Sequence, residues 1–390
     1  MKNRIQCIAS TGAMVLLASC GDDQPAGRIE ITTPAADLTF DEAFIKEQEI
    51  HLQMPENVVL GGIGYVLVDA KGHLIVLDHI QNTIFQIDAK GHYLRQIGAR
   101  GGAEGEYLSI MDPRLTPNGD LYFYNFGEGR EYLFFFGDSY KFKREVPDTK
   151  SELVDHVVFT EGGRIYGSQV DVIDAGADGE REDGQYALFR LDNDFNKVAS
   201  LYPVEDKRTG RALNRYHNTV LTPKRGGGFY FIYPTTYEIH QYSEQGELEQ
   251  TWFSEYESKH RARIKPLPAG LDPVDWTPKH NEWFAEHIVR SRLYECGPDL
   301  MVLSQYRRVV RGKPEYYLNL FYKDGHAVAD GIRLPADHRM LTIDGTEFYF
   351  AVEGAFDEAT GEAGDPYIAV YRLNDREGAG KRAFSRSQGS

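Results

Sequence analysis

From Tyr65 to Ile97 the chain passes through four short apolar runs, Tyr65 to Val68, Leu74 to Leu77, Thr83 to Ile87 and Leu94 to Ile97, parted by Gly, Asn and Asp. Runs of this length, rich in β-branched and aromatic residues and bounded by turn formers, predict β-strands. The first and third links are the same five letters, DAKGH, at 69–73 and again at 88–92. Their Lys-Gly pair supplies the left-handed backbone that a tight hairpin requires. Four strands joined in this way form a meander with two apolar faces, which cannot be stable alone.

The same grammar recurs with different letters. GDLYFYN at 119–125 is followed by YLFFFGDSYKFKREV, and GGRIYGSQV at 162–170 by YALFRLDNDFNKVASLYPV. GGGFYFIYP at 226–234 precedes YEIHQYSEQGELEQTWF, PDLMVLSQY at 298–306 precedes YYLNLFYKDGHAVADGIRLP, and GTEFYFAVE at 345–353 precedes YIAVYRLND. Six units result, with second strands starting near 74, 121, 165, 229, 300 and 347. Radial packing buries both faces of each unit, so the spacing predicts an all-β, six-bladed β-propeller of four-stranded antiparallel blades. The last unit runs into a polar tail without a fourth strand, whereas Glu47 to Met54 is an orphan strand of suitable pattern. That N-terminal strand is expected to become the outermost strand of blade 6 and close the ring. The propeller is expected to span 41–375, with a polar tail at 376–390.

The Gly-rich link and following strands, IGARGGAEGEYLSIMDPRLTPNGDLYFYN at 97–125, resemble NHL-type repeats, in which a Gly-rich segment ending in Glu and an aromatic leads to Asp-Pro and then Gly-x-Leu-Tyr. At the N-terminus, Lys2 and Arg4 precede an apolar run from Ile8 to Ala18, and Leu17-Ala18-Ser19-Cys20 resembles a bacterial lipobox. Together these features make the chain similar to the six-bladed propeller lipoproteins of anaerobic Gram-negative bacteria. The resemblance implies a fold and a location, not a reaction. It implies a signal peptide at 1–19, lipidation of Cys20 and a flexible tether at 20–40. Gly21-Asp22-Asp23 resembles the acidic tag that carries some lipoproteins to the outer face of the outer membrane. The expected location is thus the outer membrane, on its cell-surface or periplasmic side, with membrane contact only through the anchor. With Cys20 acylated, Cys296 has no partner, so no internal disulfide is expected.

Composition narrows the partners. With 43 Lys and Arg against 59 Asp and Glu, the formal charge of -16 opposes nucleic acid and anionic membrane surfaces. An anionic ligand would need a local basic site.

In a propeller blade the a–b and c–d turns share one end, and the b–c loops and d–a links share the other. Every long connection here, 171–184, 205–217, 254–288, 307–315 and 353–366, belongs to the second end. Loops carry recognition on rigid scaffolds, so that end is the expected working face. Its basic and aromatic residues are the candidate ligand-binding set: Arg100, Arg215, Tyr216, His217, Tyr233, Tyr306, Arg307 and Arg308. Converging arginines would suit carboxylate, sulfate or phosphate groups, and flat rings beside them would suit sugar faces. Scattered, solvated arginines paired with nearby carboxylates are the alternative, and most Tyr and Phe must pack the blades.

His156, His217, His287 and His338 each start an innermost strand and could ring the channel mouth. They lack the short spacing typical of metal motifs, and no metal or cofactor is expected. No nucleophile elbow, phosphate loop or dinucleotide fingerprint is present. The expectation is a non-catalytic binding module for a glycan, peptide or envelope protein. The alternative is a lyase or hydrolase acting at the channel mouth, with a histidine-bound metal as one version.

Overall fold

The computed structural model describes residues 27–34, 37–127, 130–137, 139–147, 156–169, 186–203, 219–233, 238–254, 279, 282, 285, 288–307, 313–354, 356–357 and 362–374. Six four-stranded antiparallel sheets follow one another along the chain, and the innermost strands of successive blades meet around an axis. From inside outward, blade 1 is Ile63–Val68, Leu74–Asp78, Thr83–Ile87 and Tyr93–Ile97. Blade 2 is Met111–Leu115, Leu121–Gly127, Arg130–Phe136 and Phe142–Pro147, and blade 3 is His156–Phe159, Ile165–Ser168, Tyr186–Leu191 and Lys197–Pro203. Blade 4 is Val220–Pro223, Phe229–Ile232, Ile239–Tyr242 and Leu248–Phe253. Blade 5 is Ile288–Cys296, Leu300–Arg307, Glu315–Tyr322 and Ala327–Arg333. The second strands begin at the six positions that the repeat pattern predicts.

Blade 6 contains His338–Asp344, Glu347–Val352 and Tyr367–Leu373, and its outermost strand is Phe44–His51 from the other end of the sequence. The ring therefore closes as expected, with the strand three residues earlier at each end than the pattern suggested.

Period-two alternation explains why each blade needs two neighbours. In Leu74–Asp78, Leu74 and Val76 enter the core shared with blade 6, and Ile75 and Leu77 enter the core shared with blade 2. Six such cores fill the six interfaces, in place of one central core. Aromatics supply much of the volume, with Tyr107, Tyr122, Phe123, Tyr166, Tyr230 and Phe348 nearly inaccessible to solvent.

The repeated turn works through its first residue. Asp69 accepts hydrogen bonds from the backbone of Lys71 and His73 at 2.8 and 2.9 Å, and Asp88 does the same for Lys90 and His92. Hydrogen bonds from the His92 ring and backbone hold the Asp88 carboxyl down at about 2. Gly91, at φ +94°, has a second constraint. A Cβ there would stand 2.1 Å from the carbonyl oxygen of His51, because the closing strand runs directly against this turn.

Part of the segment read as a flexible tether is built into the rim. Gly27–Glu30 adds a fifth, parallel strand to the edge of blade 4, and Ile31 is buried. Thr32 N–H then donates to the Gly325 carbonyl in a turn of blade 5. The Pro/Thr composition hides this because an edge strand needs backbone pairing more than apolar side chains. A Gly325→Ala substitution is expected to unseat the strap. Gly325 has φ +88°, and a Cβ would lie 2.3 Å from the Glu30 carbonyl oxygen. Amide exchange at 27–32 should rise while exchange in the Glu315–Tyr322 strand stays protected, and equal protection in both proteins would refute the assignment.

Cys296 is buried in the interface between blades 5 and 6, where burial pushes its thiol up to about 12. It is a packing residue.

Candidate functional site

The channel is where the innermost strands place charged side chains that their neighbours cannot bury apolarly. Tyr65, Asp112 and His156 stand three positions before the last paired residues of their strands, Val68, Leu115 and Phe159. They therefore share one layer. Asp112 is its hub. Its Oδ2 accepts from Arg114 Nε at 2.8 Å and pairs with His156 Nδ1 at 3.0 Å, and its Oδ1 accepts from Arg292 Nη2 at 2.9 Å. Arg292 reaches from blade 5 to blade 2, passing 4.7 Å from the centre of the Tyr65 ring. Arg114 continues to the Leu221 carbonyl of blade 4 at 2.5 Å. On the remaining sectors, Tyr294 donates to the Leu341 carbonyl at 3.1 Å, and Arg339 donates to the Ile63 carbonyl. All six blades are tied through this network.

Asp112 adopts φ +47°, a left-handed backbone that Asp tolerates better than most residues. The register slips at this point, between Tyr122 and Tyr124 of the neighbouring strand. Burial pushes the Asp112 carboxyl up, yet the Arg114 charge, the His156 hydrogen bond and Arg292 together hold it well below the usual carboxylate range. When the His156 proton sits on Nδ1 and is donated to Asp112, Nε2 keeps a lone pair. That atom is buried and has no hydrogen-bond partner among the described residues.

The sequence-derived candidates fare differently. His156 belongs to the network. His338 does not: it bonds Asp337 and the Tyr371 hydroxyl at 2.8 and 3.0 Å and packs on Phe40. Tyr233, expected as a ligand-facing ring, is instead buried in the core between blades 3 and 4, with its ring beside Tyr202. Tyr306 is half-buried against Tyr316. Arg307 is exposed, but it shares Glu315 with Arg333, so much of its charge is already answered. Arg100 is exposed in the link between blades 1 and 2, where Ala99–Arg100 pairs with Glu106–Tyr107. No contact among the described residues joins Arg100 to Arg307. Arg215, Tyr216, His217, His287, Arg308 and Cys20 lie outside the described residues.

Asp112, Arg114, Arg292 and Arg339 were not singled out from the sequence. The available signal was DPR at 112–114 and RSR at 290–292, charged letters inside strands whose only polar outlet is the channel. Among the described residues, no cluster of three or more His, Cys, Asp or Glu could hold a metal ion, and no helix is long and apolar enough to cross a membrane.

The family described as "DUF5128: 6-bladed beta-propeller" matches residues 28–293, more than half of the chain. This chain belongs to that family. The match begins within the rim strand that precedes the closing strand, so the strap falls inside the family's extent. Among solved structures, a protein described as exported, from Bacteroides fragilis, superposes with a TM-score of 0.60 at 13% identity, covering 89% of this chain and 99% of that one. A member of the duf4221 family from Bacteroides vulgatus gives 0.58 at 7% identity, with coverage of 85% and 97%. Both show the shared fold. A streptogramin B lyase covers 85% of this chain and 98% of its own at 13% identity, but its TM-score of 0.45 carries no inference about reaction. No curated protein sequence matches the chain closely enough to count as a relative.

Proposed function

We propose that this DUF5128 propeller is an exported, lipid-anchored binding module that takes a glycan, peptide or envelope-protein partner on the end bearing its long connections, without catalysing a reaction. One observation supports this reading above the others, the one-sided distribution of connections. The a–b and c–d turns are tight, as at 69–73, 88–92, 116–120 and 243–247, whereas 169–185, 204–219 and 254–287 all join strands at the opposite end. Rigid blades with variable connections at one end suit recognition. The anchor rests on the lipobox-like Leu17-Ala18-Ser19-Cys20.

Two measurements test the proposal. Cys20→Ala should move the protein from the membrane fraction to the soluble fraction. The soluble form, applied to glycan and peptide arrays, should retain one ligand class and lose it when 205–217 is replaced by a short Gly-Ser link. A shortened variant that binds like the parent would place recognition elsewhere.

The enzyme reading is favoured by one feature, the Asp112–His156 pair with its unpartnered Nε2, the arrangement a general base uses. The burial of Nε2 argues for the binding reading, because a substrate would have to displace channel side chains to reach it. Turnover of an array ligand that disappears in His156→Ala would reverse this preference. Recovery of the ligand unchanged would uphold it.

A further inference from the structure

The rim strand shortens the chain between the lipobox and the ring. Six residues, 21–26, separate Cys20 from Gly27, where backbone pairing to blade 4 begins. Fully extended, that stretch reaches about 25 Å, whereas a free tether over 20–40 would reach roughly 70 Å. A propeller of this length is roughly 50 Å across, so only part of its surface lies within reach of the cysteine. The strap is firmly seated. Gly27–Glu30 pairs residue by residue with Gln250–Phe253, Gln250 Nε2 donates to the Gly27 carbonyl at 2.6 Å, and Ile31 joins the core shared by blades 4 and 5. Thr32 is bonded twice to blade 5, its N–H donating to the Gly325 carbonyl and its Oγ1 accepting from the Ala327 N–H at 3.2 Å. The Arg28–Glu238 ion pair at 2.9 Å is solvent-exposed and adds little.

Both ends of the strap lie beside tight turns. Gly27 stands opposite Gln250, three residues beyond the Ser243–Glu247 c–d turn of blade 4, and Thr32 bonds Gly325 in the c–d turn of blade 5. Because Gly27–Glu30 runs parallel to Leu248–Phe253, the chain enters Gly27 from the side of the Ser243–Glu247 turn. The cysteine therefore approaches the ring from the end opposite the long connections. Charge does not decide the matter at that end. Lys71, Lys90 and Lys141 are exposed in its turns, and exposed Glu161, Asp194 and Asp324 offset them, so an anionic lipid surface is neither strongly attracted nor repelled.

We propose that the tight-turn end of the propeller, nearest at blade 4, is held against the surface of the lipid bilayer, and that the long-connection end is presented away from it. The proposal rests on the lipid anchor of the reading above and assigns the bilayer as the partner of a second face. Covalent reach makes the contact. An acyl chain fixes Cys20 at the bilayer surface, and the short stretch from there meets the ring beside the Ser243–Glu247 turn. Turned over, the ring would use nearly all of that stretch to cross the roughly 20 Å of strand that separates its two ends, before the long connections are counted.

The test places the lipidated full-length protein in phosphatidylethanolamine–phosphatidylglycerol vesicles that carry a headgroup-level nitroxide quencher, with a fluorophore on Gln245→Cys, Lys71→Cys or Ile80→Cys. All three positions are exposed, and buried Cys296 should stay unlabelled. Gln245 lies in the c–d turn of blade 4, and Lys71 and Ile80 lie beyond opposite ends of Leu74–Asp78 in blade 1. Quenching should be strongest at Gln245, present at Lys71 and lost at Ile80, where it should match the same label on the soluble Cys20→Ala protein. A Gly-Ser insertion of about thirty residues after Ala26 leaves the strap intact and should abolish the difference between Lys71 and Ile80. Equal quenching at Lys71 and Ile80 without the insertion, stronger quenching at Ile80, or a pattern that the insertion does not move would each overturn the proposal. In those cases, protein that still sediments with the vesicles keeps its anchor and loses only this orientation. Protein that stays in solution removes both.

Discussion

Asp112→Asn is expected to lower the unfolding free energy by about 3 kcal/mol, the cost of leaving buried cations without their partner. The amide keeps the size of the side chain and tolerates the left-handed backbone at φ +47°, so the loss reports the missing charge. Arg114 and Arg292 would then face each other with no carboxylate between them. Asp112→Ala should cost roughly 1 kcal/mol more, because alanine also strains at that conformation. Urea unfolding gives both values, and midpoints within error of the parent would show that water already answers these charges. The same pair predicts a pH signature. A carboxyl held low in the folded state contributes stability that is complete above its unfolded value near ~3.9 and is lost as pH falls toward the lower folded value. The parent should therefore lose stability more steeply than Asp112→Asn below about pH 4.

Ile50→Asp is expected to be more damaging still. Ile50 is the inward residue of the closing strand, 3% exposed, in the core shared by blades 6 and 1 and paired with Ile368. A carboxylate there loses the apolar contacts and gains no partner, at a cost of about 4 kcal/mol or more. Release of Phe44–His51 would also bare the edge of Tyr367–Leu373, an invitation to edge-to-edge association. Size-exclusion chromatography should show oligomers alongside the lowered urea midpoint. The exposed neighbour Gln48→Ala should stay within about 0.5 kcal/mol of the parent. A monomeric Ile50→Asp protein of parental stability would mean that the strand is not what holds the ring shut.

The two sites differ in how far they could be read from the chain. Ile50 was within reach: an alternating run with no partner upstream of unit one, and a last unit short of a strand, point to each other across the whole sequence. Asp112 was not, although His156 was noticed for starting an innermost strand. Tyr233 shows the converse error, since its place at the working-face end of a second strand suggested exposure and its ring packs between blades 3 and 4.

By itself the sequence determined the number of blades, the start of each second strand and the way the ends meet. Those are encoded locally, in period-two alternation and in turns such as DAKGH, whose Asp and Gly act on residues within four positions. Only the tertiary structure decided which side chains share the channel. Alternation fails where it matters there: the left-handed Asp112 breaks the phase of its strand, and a bulge between Arg290 and Arg292 does the same in blade 5. Inward and outward cannot be counted through such breaks. The residues that meet around Asp112 come from different blades, and closure of the ring is what brings them within hydrogen-bonding distance.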